Sequence, residues 1–257
     1  MRLSPAEQAL WYFNIAAAIL VLARLYSERL IRLYPALFAY ILLDALEQAT
    51  ELVFARRRHV YGEIYFVGQS FKLALAILVV LELYQLALAK QPALARFGRQ
   101  TLSYVFLIAI LAGLANFFIN TGASAGRDKY PTEFVRLEDT LDLVTLVVVV
   151  LIAGFLLWFP VRCSRNVAFC LGGFVWYSFQ RWAGLVFTSY LPESTHTFSI
   201  AMLSASLLCL AVWATALRRT GEVSIIVTGH RWNPVEAERL TLQLDTINSR
   251  LARLVRP

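Results

Sequence analysis

Three acids, Asp44, Glu47 and Glu51, are spaced i, i+3 and i+7 within the otherwise apolar stretch LFAYILLDALEQATELVF at 37–54. At about 100° per residue they fall on one helical face, with Gln48 beside them. An ionisable group at bilayer depth costs about 2.5–3.5 kcal/mol, so three acids are not expected to face lipid. The next apolar run brings Glu63, Gln69 and Ser70, then Lys72 near its middle. Lys72 is the expected counter-ion of Asp44 or Glu47, and both a structural ion pair and a binding role fit that pairing. A later run begins with Arg136, Glu138, Asp139 and Asp142. Acids in a first turn favour the positive end of the helix dipole, which accounts for Glu138 and Asp139, whereas Asp142 lies a turn deeper and needs a partner. Arg181 is the lone guanidinium of its own run and is expected to make a forked pair with Asp142, Glu47 or Glu51. Carboxyls held at depth in this pattern bind cations or exchange protons.

These residues must be positioned by membrane helices. A chain of 257 residues with 59% hydrophobic and 16% charged content, at a mean hydropathy of +0.61, is too apolar for an ordinary soluble domain. Hydrocarbon about 30 Å thick needs roughly 20 apolar residues per helix. Scanning at that length predicts seven transmembrane helices at 9–26, 35–54, 61–86, 98–120, 134–159, 166–190 and 196–217. The runs are too long and unalternating for barrel strands. The expected fold class is therefore all-α, a polytopic bundle of seven transmembrane helices over 1–219, followed by a cytoplasmic tail at 220–257.

The formal charge of +7 raises nucleic acid as a partner, but the cations sit at helix ends rather than on one soluble face. Arg24, Arg29 and Arg32 follow the first helix, Lys90, Arg96 and Arg99 the third, Arg162 and Arg165 the fifth, and Arg218 and Arg219 the seventh. All fall on one side, which the positive-inside rule makes cytoplasmic, so the N-terminus is expected outside and the C-terminus inside. Arg56, Arg57, Arg58, Arg127 and Lys129 lie opposite and argue the other way. The residues ahead of the first helix, MRLSPAEQ, lack the n-region and cleavage site of a signal peptide, so that helix is expected to stay as a span. KQPALARFGRQ is expected to be an inner loop broken by Pro92 and Gly98, and TGASAGRDKYPTE a lid-like outer loop.

Several activities find no residues. Three histidines, His59, His196 and His230, have no ligand spacing, so no metal, and no cofactor, is expected. Cys163, Cys170 and Cys209 read as small packing residues. The last helix contains no lysine for a retinal Schiff base, and neither a phosphate loop nor a nucleophile elbow occurs. An enzyme is not expected. In the tail, Asn233 and Pro234 look like the start of a short amphipathic helix. Its apolar residues, Leu240, Leu244, Ile247, Leu251 and Leu254, form a 4-3-4-3 seam opposed by Arg239, Arg250 and Arg253. Such a seam suits docking on a cytoplasmic partner, a second copy, anionic lipid or the protein's own inner loops.

LLWFPVRCSRN at 156–166 and GHRWNP at 229–234 resemble segments of uncharacterised bacterial seven-helix integral membrane proteins. The resemblance implies a multi-pass protein of a bacterial inner membrane and brings no activity with it. The seven-helix layout also looks like the three-one-three repeats of the sugar-facilitator and PQ-loop families. From the residues themselves, three roles are open. The first is an outward-opening acidic cavity that binds, and passes on, a cation, protons or a small polar solute through Asp44, Glu47, Glu51, Glu63, Lys72, Asp139, Asp142 and Arg181. The second is a ligand-sensing receptor reporting through its tail, and the third a structural subunit whose charges are internal pairs.

Overall fold

A computed structural model describes residues 5–54, 58–122, 130–159, 161–190, 195–227 and 234–254. Among them are nine α-helices and one two-stranded antiparallel sheet. Each of the seven apolar runs is a helix: α1 (Pro5–Ser27), α2 (Pro35–Phe54), α3 (Arg58–Ala87), α4 (Pro92–Gly122), α5 (Tyr130–Trp158), α6 (Arg165–Tyr190) and α7 (Thr195–Ala216). A five-residue helix, α8 (Arg219–Val223), and the tail helix α9 (Pro234–Leu254) follow. Strand β1 (Arg162–Ser164) pairs with β2 (Ile225–Val227).

Five of the helices are long and apolar enough to cross a membrane: α1, the Phe66–Ala87 part of α3, the Pro92–Ala115 part of α4, the Leu137–Trp158 part of α5, and the Phe198–Ala216 part of α7. Charge sets α2 apart, because Asp44, Glu47 and Glu51 interrupt it. Large apolar side chains stand exposed around the bundle, among them Phe13 and Leu20 on α1, Ile108 on α4, Leu151 on α5 and Leu208 on α7. A soluble monomer rarely carries apolar surface on this scale.

Two expected helix boundaries are corrected. The break between α3 and α4 falls at 88–91, directly before Pro92, which is the first residue of α4, whereas Gly98 lies inside that helix and marks no break. Proline is tolerated at a helix start because the missing N–H would have no partner there. Gly98 leaves room for the Tyr84 ring, which a Cβ at that position would strike. Helix α5 starts at Tyr130 rather than 134, one turn early. The expected outer lid at 121–133 falls largely outside the described residues.

The ends of the helices that carry the basic groups meet at one face. Arg24 Nε donates to the Leu217 carbonyl at 2.9 Å, joining the ends of α1 and α7. Glu82 near the end of α3 accepts the N–H groups of Ala36 and Leu37 at 2.8 and 3.2 Å, capping α2. Asn248 of α9 does the same for α4, its Oδ1 accepting from Ala93 and Leu94 at 3.0 and 3.2 Å. Both caps satisfy helix-start donors with a side chain from elsewhere in the fold.

The tail is bound into this face. Glu222 Oε1 accepts from the Tyr34 hydroxyl at 2.6 Å and from Asn166 Nδ2 at 2.7 Å. Asn166 also donates to the Arg218 carbonyl at 2.8 Å, and a Cβ on Gly221 would collide with its side chain. On α9, Leu244 is buried and Leu240 and Leu251 are half-buried, while Ile247 is exposed. Ile247 is therefore not part of the docked seam, and the side chain of Leu254 lies outside the described residues. The three cysteines are buried, and none of them forms a disulfide.

Candidate functional site

The buried charges gather into two adjoining groups joined through α3. In the first, Lys72 Nζ lies 2.8 Å from Asp44 Oδ1 and also pairs with Glu47. The second carboxylate oxygen of Asp44 accepts from Gln48 Nε2 at 2.7 Å. Helix periodicity explains the set: Asp44, Glu47 and Gln48 share one face of α2 and present it to α3. The side chains of Glu51 and Glu63, expected in the same set, lie outside the described residues.

The second group is centred on Arg181 of α6. Its Nε and Nη2 both reach Asp142 Oδ2, at 3.1 and 3.0 Å. Nη2 also donates to Glu138 Oε1 and to Gln69 Oε1, each at 3.1 Å. Gln69 lies one turn from Lys72 on α3, which sets the two groups side by side. Glu138, rather than Asp139, is the second acid. With α5 beginning at Tyr130, Glu138 is two turns inside the helix and one turn from Asp142, on the same face. Dipole capping therefore does not explain Glu138, and Asp139 is half-buried with an Oδ1 that has no hydrogen-bond partner.

Four carboxyls, Asp44, Glu47, Glu138 and Asp142, thus stand against two cations, Lys72 and Arg181, and all but Arg181 are almost wholly buried. Among the described residues, acids outnumber cations in this core. Burying a charge without compensation costs several kcal/mol. The chemical consequence is an affinity for positive charge, as protons or as a cation.

An aromatic floor lies next to the charges. Tyr40 packs edge-on against Phe174 and Tyr177, with ring centroids 5.6 and 5.7 Å apart. Towards the basic face the space between helices is filled by Leu37, Val79, Leu83, Val149, Cys170 and their neighbours, all buried in one apolar cluster. Along the helix axes this layer puts Asp44 about 14 Å, and Lys72, Asp142 and Arg181 about 22–24 Å, from the helix ends at the basic face. Glu82, the acid that could have continued a polar route inward, is engaged in capping α2.

Among the described residues no group of three or more metal-ligating side chains occurs. No family model matches the chain, and neither a curated protein nor a solved structure shows significant similarity to it. What fold and site define is a class of architecture, an all-α bundle of apolar helices around a charged core.

Proposed function

We propose that the chain is a seven-span integral membrane protein, N-terminus outside and C-terminus in the cytoplasm, whose charged core binds protons or a cation reached from the outer side. The gathering of buried carboxyls around Lys72 and Arg181 among the described residues carries this reading. Gathering the basic helix ends on the face that holds the tail supports the orientation, because positive charge collects on the cytoplasmic side. Helices α2 and α6 complete the seven spans. Their charged faces turn inward to α3 and α5, which removes the cost of placing those residues in lipid.

A second reading is favoured by one observation. The apolar layer between the core and the basic face, together with the use of Glu82 as a cap, leaves no polar route inward among the described residues. A core closed on that side suits a sensor, which changes state on binding, better than a transporter.

Cysteines placed singly at positions 44, 47, 142 and 181, with Cys163, Cys170 and Cys209 replaced, test both readings by labelling with impermeant thiol reagents. Labelling from outside alone supports a binding core and the sensor, and labelling from both sides supports transport. Protection from both sides overturns the binding core and leaves the charges as structural pairs.

A further inference from the structure

Glu47 differs from the other core acids in what its second oxygen meets. One oxygen pairs with Lys72, yet Oε1 has no hydrogen-bond partner in a side chain only 3% exposed. Oε1 lies over Gly68 of α3, where even a methyl group would stand 3.0 Å away. Glu47 and Gly68 form the floor of a groove of about 420 Å³ between α2 and α3. Leu43, Leu46, Thr50, Val67 and Phe71 wall it; the Thr50 hydroxyl donates to the Glu47 carbonyl at 2.8 Å, and Leu46, Val67 and Phe71 are exposed on the outside of the bundle. The groove thus opens sideways, on the surface that the bilayer covers, with one acid at its base.

We propose that this groove is a lateral binding site for a lipophilic monocation, an organic ammonium or phosphonium with apolar substituents, that enters from the bilayer and sets its charge against Glu47. The inference rests on the reading of the core as a seat for positive charge and adds the chemical class and route of the ligand. The walls decide the class. A small metal ion needs several oxygen ligands, and this groove offers it one carboxylate and one hydroxyl already bonded to the Glu47 carbonyl. A hydrated ion would shed its water against Leu43, Leu46 and Val67 with nothing in return. A cation of diffuse charge and apolar surface loses little hydration, buries its substituents on those walls and meets the Phe71 ring. Its charge also lies beside the acids gathered around Lys72. The groove volume matches that of small-molecule pockets.

The test uses the full chain in nanodiscs and equilibrium binding of radiolabelled tetraphenylphosphonium. Saturable binding at one site per chain is expected, at least tenfold weaker in Glu47→Gln. Leu46→Trp fills the groove from its lipid side without touching a charged residue, so it reports on the site even if Glu47→Gln does not fold, and it too should weaken binding at least tenfold. Absence of saturable binding, or equal affinity in wild type and Leu46→Trp, overturns the inference. Core cysteines that label from outside while tetraphenylphosphonium fails to bind would sink the lateral site and leave the binding core standing. Glu47-dependent binding with unlabelled core cysteines would keep the lateral site and remove the water-accessible core.

Discussion

One carboxylate oxygen of Asp142 accepts from both Nε and Nη2 of Arg181, and the same Nη2 reaches Glu138 and Gln69. The guanidinium thereby ties α6 to α5 and α3 at one point. A lysine ammonium is more compact and lacks the planar fork that makes these contacts together. Arg181→Lys should therefore lower stability, and Arg181→Ala more so, by about 3–5 kcal/mol, since it strands buried acids. Thermal unfolding in detergent checks the order. Equal melting of all three proteins would remove Arg181 from the structural framework.

Glu82 serves as the cap of α2, so its loss should cost stability and not ligand. Glu82→Ala is expected to destabilise by about 0.5–2 kcal/mol, the usual range for a lost helix cap. Proton or cation uptake by the core should stay at the wild-type level. A large fall in uptake with stability intact would place Glu82 on a conducting path instead.

Asn248 holds α9 through the start of α4. Asn248→Ala should release the tail helix with a cost of about 1 kcal/mol to the rest of the protein. Hydrogen exchange should then rise across α9 and the first turn of α4, and nowhere else. Unchanged protection would mean that Leu244 and its neighbours hold the helix unaided.

Tail truncations should separate body from appendage. Cutting after Val227 keeps Glu222 and β2, whereas cutting after Thr220 removes both. Each lost hydrogen bond is worth about 0.5–1.5 kcal/mol, and about 2–4 °C of melting temperature accompanies each kcal/mol at this size. The shorter chain should melt several degrees below the longer one, and coincident melting would show that the Glu222 contacts add nothing.

Tyr34 supplies a pH test outside the spanning helices. Burial, with the neighbouring Cys170 and Glu222, raises its phenol above the ordinary value, so the hydroxyl stays protonated as the donor to Glu222. A raised folded-state pKa adds stability that is fully present below the unfolded value of about 10 and lost as pH climbs beyond it. Wild type should lose stability above about pH 10 more steeply than Tyr34→Phe. Parallel pH profiles for the two proteins would refute this role for the phenol.

Hydropathy alone located the seven apolar helices, because seven apolar runs separated by polar joins leave little choice of element. The pairing of Lys72 with Asp44 and Glu47 was legible as well, since opposite charges in neighbouring apolar runs need each other. Glu138 was not. Its role depends on α5 starting a turn earlier, within a polar stretch where hydropathy marks no boundary. The caps from Glu82 and Asn248 leave no local trace either, for the accepting side chain lies 46 and 155 positions away from the helix start it serves. The partner of β2, strand β1, lies in three residues before α6 that no periodicity marks.

Asn166 and Arg181 lie on one unbroken helix, α6, about 22 Å apart along its axis. At one end the helix holds the acids of the core, and at the other it is bolted to the tail through Glu222, Arg218 and the backbone of Ser224. Such a helix is a pushrod: it cannot lengthen or shorten without breaking its own hydrogen bonds. An axial shift that a change of charge imposes on Arg181 is carried by the same helix to where the tail is fastened.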